Sequence, residues 1–294
     1  MALMSVAGSE MSEVDLDGVQ RAFIVRNAPL ERLLLNRNVL GLEFQRTCDA
    51  GARAFVRHFA DELTAAGEDV AELVILTKGL CYGLRAAVAT MLDRNLEANF
   101  AATRRVAVDG QDARVEVLYR DFDAARSRLI IGDTIASGAT VCAALSAYLE
   151  RQPLRSVHLF TFAGSGVGAR RIGTFCREHG IDLTIAFGLA VFGLGDNGFD
   201  LSFLHPDTIT ADAYVQRATE QFNGKPVSAV GWDFGSQVHA VEKYRQLCWI
   251  EAQYWGIHDA TTFAVARRPL GSDMVQRERG AWESRLKLGD VTGS

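Results

Sequence analysis

Cysteine and proline are scarce in this chain, with five of each in 294 residues. The cysteines, Cys48, Cys81, Cys142, Cys176 and Cys248, form no C-x-x-C pair and no tight spacing. That excludes a disulfide framework and points to a reducing, cytoplasmic setting. Excess positive charge is missing too: 31 Lys plus Arg against 36 Asp plus Glu leave a formal charge of −5. No electrostatic footprint for nucleic acid results, and no nucleic-acid partner is expected. The longest near-apolar run, Leu183 to Gly195, falls short of the roughly 20 residues a membrane helix needs, so no membrane partner is expected. The opening MALMSVAGSEMSEVDLD holds no Lys or Arg, unlike a secretory signal. The six histidines never fall in H-E-x-x-H or another ligand spacing, which argues against zinc. G-x-x-x-x-G-K-[ST] is absent, excluding the P-loop of nucleoside triphosphatases.

What remains is ordinary globular composition, 48% apolar and 23% charged, in a chain long enough to bury a large core without staples. Residues 1–20 read as a flexible acidic tail. From Leu42 to Leu63, apolar residues at Cys48, Ala52, Phe55, Phe59 and Leu63 make a helical stripe. AELVILTKG then reads as a buried strand ending in a Lys-Gly turn, and RAAVATMLDRNL as a helix. TRRVAVDGQDARVEVLYRD alternates on both sides of Asp109-Gly110, a hairpin signal. RLIIGD, SVHLFTFAG and IDLTIAFGLAVFG read as strands, with the helices CAALSAYLERQ and ARRIGTFCREHG between them; Gly180 closes the second. This alternation predicts an α/β fold: a parallel sheet with helices on both faces. The core is expected over residues 21–206. Residues 207–294, which hold Trp232, Trp249, Trp255 and Trp282, are expected to form a helical C-terminal extension.

The chemistry concentrates in LIIGDTIASGAT. A buried strand delivers Asp133 to the carboxyl end of a parallel sheet, where open α/β folds place ligands. Ala136-Ser137-Gly138-Ala139-Thr140 then run into a helix, and N–H groups of such a turn make an anion site. An acid beside such a cradle suits a sugar phosphate. The same residues also suit a plain strand–turn–helix junction in which Ser or Asp caps the helix.

This segment resembles the phosphoribosyl-diphosphate motif of type I phosphoribosyltransferases, with Gly132 standing where that family usually carries its first acid. The resemblance implies that Ala136, Ser137, Gly138, Ala139 and Thr140 bind the 5-phosphate of ribose. It also implies that Thr77, Lys78 and Gly79 bind pyrophosphate, and that Arg104 and Arg105 on the hairpin join Asp133 and Lys78 as catalytic residues, with Arg114 a further candidate charge donor. Gly193-Leu194-Gly195-Asp196-Asn197-Gly198 is similar to the G-L-G-D-x-G segment of uracil phosphoribosyltransferases. Gly195, Asp196, Asn197, Gly198 and Phe199 are accordingly expected to bind the base, with Asp196 also a metal ligand. The order of these motifs carries more weight than any one of them. The implied activity is Mg²⁺-dependent transfer of ribose 5-phosphate from phosphoribosyl diphosphate (PRPP) to a uracil-like base, in a homo-oligomer with small-molecule substrates. A protein of this fold that senses PRPP or a nucleotide without turnover, and an enzyme acting on an unusual acceptor, remain as alternatives. If the missing acid limits turnover, Gly132→Asp is expected to raise it.

GSGVGARRIG also fits G-x-G-x-x-[GA], but Asp182 begins the following strand instead of ending it, against a dinucleotide site. In the transferase reading, Ala163 to Val167 border the base pocket. Cys81 beside the lysine turn has no specific nucleophile signature.

Overall fold

The computed structural model describes residues 3–6, 8–36, 39–76, 78–108, 111–224, 226–230 and 234–239, with the backbone alone at 3–6, 78, 107–108, 111–113 and 236. Its strands are β1 (Leu3–Val6), β2 (Ser9–Glu13), β3 (Arg21–Asn27), β4 (Val70–Leu76), β5 (Glu97–Val108), β6 (Gln111–Asp121), β7 (Arg128–Gly132), β8 (Ser156–Thr161) and β10 (Asp182–Gly188), with β9 (Gly164–Ser165) between the last two in sequence. Nine of them form one sheet in the order β1-β2-β3-β10-β8-β7-β4-β5-β6. From β3 to β5 every neighbouring pair is parallel. The antiparallel hairpins β1–β2–β3 and β5–β6 close the two edges. The interior of β7, β8 and β10 is almost wholly buried, as parallel strands covered on both faces must be. The fold class expected from the alternating pattern is the one observed.

The helices α1 (Ala28–Leu35), α2 (Gly41–His58), α3 (Ala60–Ala65) and α4 (Leu84–Leu92) pack on one face; α5 (Ala139–Leu149) and α6 (Gly166–Glu178) pack on the other. On the first face Phe55 stacks against Phe160 and Phe162 at centroid distances of 5.5 and 5.9 Å. All three rings are fully buried, and truncating a ring in such a place costs about 3–5 kcal/mol. A small second sheet follows, built from β9, β11 (Ala190–Leu194), β12 (Leu201–Ser202) and β13 (Ile209–Thr210).

The N-terminal expectation is corrected. Residues within 1–20 are not a flexible tail: β1 pairs with β2, and β2 with β3. The physical reason lies in the small polar residues. Ser12 accepts a hydrogen bond from Arg26 at 2.7 Å, Ser9 Oγ bonds His58 Nε2 at 2.9 Å, and Glu10 and Glu13 face outward. Of the expected C-terminal extension, helix α7 (Asp212–Gln221) is described, and its Tyr214 hydroxyl donates to Glu31 at 2.9 Å. All four tryptophans lie outside the described residues.

At the amino ends of the parallel strands, Glu62 accepts two hydrogen bonds from Arg21, at 3.0 and 2.8 Å, and bonds His158 Nε2 at 2.9 Å. Glu62 and His158 border a cavity of about 260 Å³ lined also by Arg128 and Ser156. The His158 and Arg21 hydrogen bonds hold the Glu62 carboxyl down at about 2, against an ordinary 4.5. A depressed acid lends stability above its unfolded pKa and loses it as pH falls toward the folded one. The unfolding temperature of the natural chain is therefore expected to fall more steeply than that of Glu62→Gln as pH drops from about 4.5 toward 2. Superimposable acid limbs in the two proteins would show that the cluster stores no such stability.

Candidate functional site

Strand β7 ends at Gly132, and the chain turns at the carboxyl edge of the sheet. There Asp133 is 4% exposed. Its N–H donates to Phe160 O at 3.2 Å, and its Oδ1 accepts from the Thr134 N–H at 2.8 Å. The turn is stitched to the loop after β8. Ile135 N–H donates to Ala163 O at 3.1 Å, and Ser165 N–H to Ile135 O at 2.8 Å. Ser165 caps α6 by accepting from Gly168 N–H at 2.8 Å, while its hydroxyl donates to Ala136 O.

That stitching leaves no room for side chains where the two loops touch. A Cβ at Gly138 would stand 2.5 Å from Gly168 O, and one at Gly168 2.3 Å from Ala136 O. Gly138 also holds φ +75°, a left-handed conformation open to glycine at little cost. The glycine-rich GSGVG segment thus buttresses the turn. Helix α5 starts at Ala139, and its N-cap Gly138 makes no side-chain capping hydrogen bond. Ser137, Ala139 and Thr140 are half-buried there. Such an end attracts anions.

The lysine turn lies next door. Lys78–Cys81 form one 3₁₀ turn, and a Cβ at Gly79 would stand 3.2 Å from Gly132 O. Thr77 and the Lys78 side chain lie outside the described residues. Tyr82, not foreseen as a site residue, comes next. Its ring is fully buried and stacks on Phe162 at 4.0 Å, and its hydroxyl accepts from Phe162 N–H at 2.9 Å. A Cβ at Gly132 would stand 2.5 Å from this ring. Residue 132 therefore lacks the expected acid because the tyrosine occupies its space. An aromatic directly after a Lys-Gly turn, in a chain with glycine at the acid position, is the signal that could have disclosed the pair.

The hairpin β5–β6 overhangs the same edge. Strand β4 pairs with β5 as far as Leu76 and Ala102, and a register shift follows between Ala102 and Thr103. Neighbouring strand residues face opposite ways, and the two arginines obey this. Arg104 pairs with Glu116 at 3.2 Å across the hairpin, while Arg114, opposite Val106, is exposed. The guanidinium of Arg105 lies 5.0 Å above the ring of Phe199, a cation–π contact. Crowding by protein lowers the Arg105 pKa, and the negative charge of Asp133 opposes that shift. Arg105 and Phe199, from distant segments, thus meet, and the charge of Asp133 is felt at the same guanidinium.

The loop Gly195–Phe199 joins β11 to β12 and is largely self-contained. Asn197 Oδ1 accepts from the N–H groups of Phe199 and Asp200 at 3.0 Å each, and its Nδ2 donates to Asp200 at 2.7 Å. Gly198 N–H donates to Gly195 O at 2.8 Å. The Asn197 side chain is committed to shaping this loop, and Asp196 is exposed. Among the described residues no group of three or more His, Cys, Asp or Glu could hold a metal ion. Asp196, the expected metal ligand, is exposed and belongs to no such group.

No protein-family model and no curated protein matches the chain. Solved structures do. The chain is similar to a protein from Aquifex aeolicus, with 15% identity, 60% of this chain and 95% of that one covered, and a TM-score of 0.42. It is also similar to an adenine phosphoribosyltransferase from Trypanosoma brucei in complex with AMP, pyrophosphate and ribose 5-phosphate, at 13% identity, 70% and 98% coverage and a TM-score of 0.41. An orotate phosphoribosyltransferase from Aeropyrum pernix shares 18% identity over 46% of this chain and 71% of that one, with a TM-score of 0.29. Among the described residues no helix is long and apolar enough to cross a membrane.

The contact between Tyr82 and residue 132 reverses the expectation for Gly132→Asp. The added side chain meets a ring pinned by Phe162, an overpacking that costs about 1–3 kcal/mol or more. The variant is expected to unfold at a lower temperature than the natural chain without gaining activity. An equally stable Gly132→Asp would show that the ring yields.

Proposed function

We propose that the chain binds PRPP at the carboxyl edge of its sheet and transfers ribose 5-phosphate to a nitrogen of a pyrimidine-like base. The observation that carries this reading is the turn after β7, where the buried Asp133 leads into a start of α5 without a side-chain cap, with Arg105 of the hairpin held over Phe199. In this account Ser137 to Thr140 and the first N–H groups of α5 grip the 5-phosphate. The Asp133 carboxylate accepts from a sugar hydroxyl. The backbone of Gly79 and the amine of Lys78 receive the diphosphate, whose magnesium arrives with it. Phe199 and the backbone of Gly195–Gly198 border the acceptor.

The reaction breaks the bond from C1 to the diphosphate oxygen, and the bonding pair leaves with pyrophosphate. The acceptor nitrogen donates its lone pair to C1 and gives up its proton to solvent or to the leaving group. The protein's share is electrostatic. Lys78, Arg105 and the loop N–H groups oppose charge growing on pyrophosphate, while Asp133 opposes positive charge growing on the sugar. The hairpin above the edge limits access of water, which would otherwise compete for C1.

A second reading has its own support. Tyr82 fills the space of the first acid, so the sugar meets Asp133 without a neighbouring carboxylate at residue 132. A protein that binds PRPP without turning it over fits that arrangement. Pyrophosphate release from labelled PRPP, measured with uracil and a panel of other bases, separates the two. The transferase reading expects release that depends on a particular base. Binding without release for every base favours the sensor, and absence of PRPP binding overturns both.

If turnover is found, Asp133→Asn is expected to lower it by about 10²-fold or more while leaving the unfolding temperature near that of the natural chain. Unchanged turnover would remove Asp133 from the mechanism. Arg105→Ala is expected to weaken PRPP binding about tenfold, whereas Arg104→Ala changes it little. Equal effects of the two, read by calorimetry, would contradict the opposite facing of the two side chains.

A further inference from the structure

Glu72 is an acid within the parallel strand β4, between β7 and β5, and is 3% exposed; the chemistry proposed above does not use it. Buried acids are rare unless something holds them. What holds this one is the start of α4. Arg85, in the first turn of α4, places its Nε 3.4 Å from Glu72 Oε2, and the backbone N–H groups of Arg85 and Leu84 favour the charged carboxylate. Leu84 is the first residue of α4, and the segment between β4 and α4 is the lysine turn with Tyr82 and Gly83. Glu72 therefore ties the strand that enters the turn to the helix that leaves it. Gly83, at φ +56°, is the joint between them.

We propose that Glu72 is a positioning residue for the lysine turn: while its carboxyl is neutral it holds the first turn of α4 against β4, and its ionisation favours lifting that turn into water. The consequence for ligand binding rests on the diphosphate reading of the turn. The covering helix is what keeps water from the carboxyl. Burial pushes the group up to about 7 from an ordinary 4.5, with Arg85 and the two N–H groups opposing the rise. A group that holds its proton more tightly when covered makes the covered state lose ground as pH rises from the uncovered value to the covered one. The relevant window is therefore about 4.5 to 7.

The surroundings leave few rivals for this titration. At its level on the flanking strands stand Ala98 of β5 and Ile130 of β7, both uncharged. From α4 comes Arg85, whose guanidinium also lies 6.0 Å from the Phe100 ring centroid. From α2, Asp49 stands at the joint, where a Cβ on Gly83 would lie 3.3 Å from its Oδ1. The α2 residues Cys48, Ala52 and Phe55 are buried on the same face, and burial pushes the Cys48 thiol well up, so it stays neutral.

The test measures backbone hydrogen exchange of residues 78–88, corrected for its intrinsic pH dependence, between pH 5 and 8.5 in the natural chain, Glu72→Gln and Arg85→Gln. Calorimetric binding of magnesium PRPP is followed over the same range. The natural chain is expected to lose protection in this segment by about 10²-fold as pH rises through the window. Glu72→Gln, neutral throughout, stays protected. Arg85→Gln, which removes the cation opposing the shift, extends the loss to higher pH. PRPP affinity in the natural chain falls relative to Glu72→Gln in step with protection. Identical exchange profiles for the natural chain and Glu72→Gln would overturn the assignment, as would an Arg85→Gln profile displaced to lower pH. Exchange that behaves as stated, with no PRPP bound at any pH, upholds Glu72 as the tie on this turn and rejects the diphosphate reading instead.

Discussion

The stacking of Tyr82 between the lysine turn and the strand ends is the contact on which the carboxyl edge depends. Its ring lies over Gly132 and against Phe162, and its hydroxyl takes up the Phe162 N–H. One buried side chain thereby ties together the turn after β4, the end of β7 and the loop after β8. Because the ring is close-packed on both sides, neither neighbour can grow. The absence of a side chain at residue 132 and the ring of Tyr82 are one structural fact.

Around this anchor the site is built by close backbone approach. Gly138 and Gly168 let two loops touch where any Cβ would collide. Ser165 serves both by capping α6 and bonding the Ala136 carbonyl. The result is a rigid floor. Above it stands a long hairpin with a register shift at its root, and Arg105 reaches from it to Phe199 and toward Asp133. A cation over a ring is held by weak, exchangeable forces. In the proposed reaction the diphosphate, with several charges, competes for the same guanidinium.

Much of this was legible in the residues. The apolar runs of β4, β7, β8 and β10 have the length and composition of strands covered on both faces, and their alternation with helices gave the parallel sheet. The Asp-Gly hairpin and the strand–acid–turn–helix junction followed from local chemistry. The N-terminal hairpin did not: SEMSE is polar and short, and it becomes a strand through its hydrogen bonds to β3, with Arg26 on Ser12 and His58 on Ser9. Arg104 and Arg105 looked equivalent, and strand alternation separates them once the hairpin's orientation is known. Asn197 looked available for a ligand, yet its amide is committed to its own loop.

The amino-acid order by itself determined the layered α/β class, the order of the loops along the chain and the chemical types each could bring to one edge. Those properties are local, resting on periodicity and turn chemistry within a few residues. Tertiary structure alone decided which of the candidates meet, why residue 132 must be glycine and why Glu72 is buried against α4. These depend on contacts between segments tens of residues apart, and close packing makes one ring's position exclude another side chain.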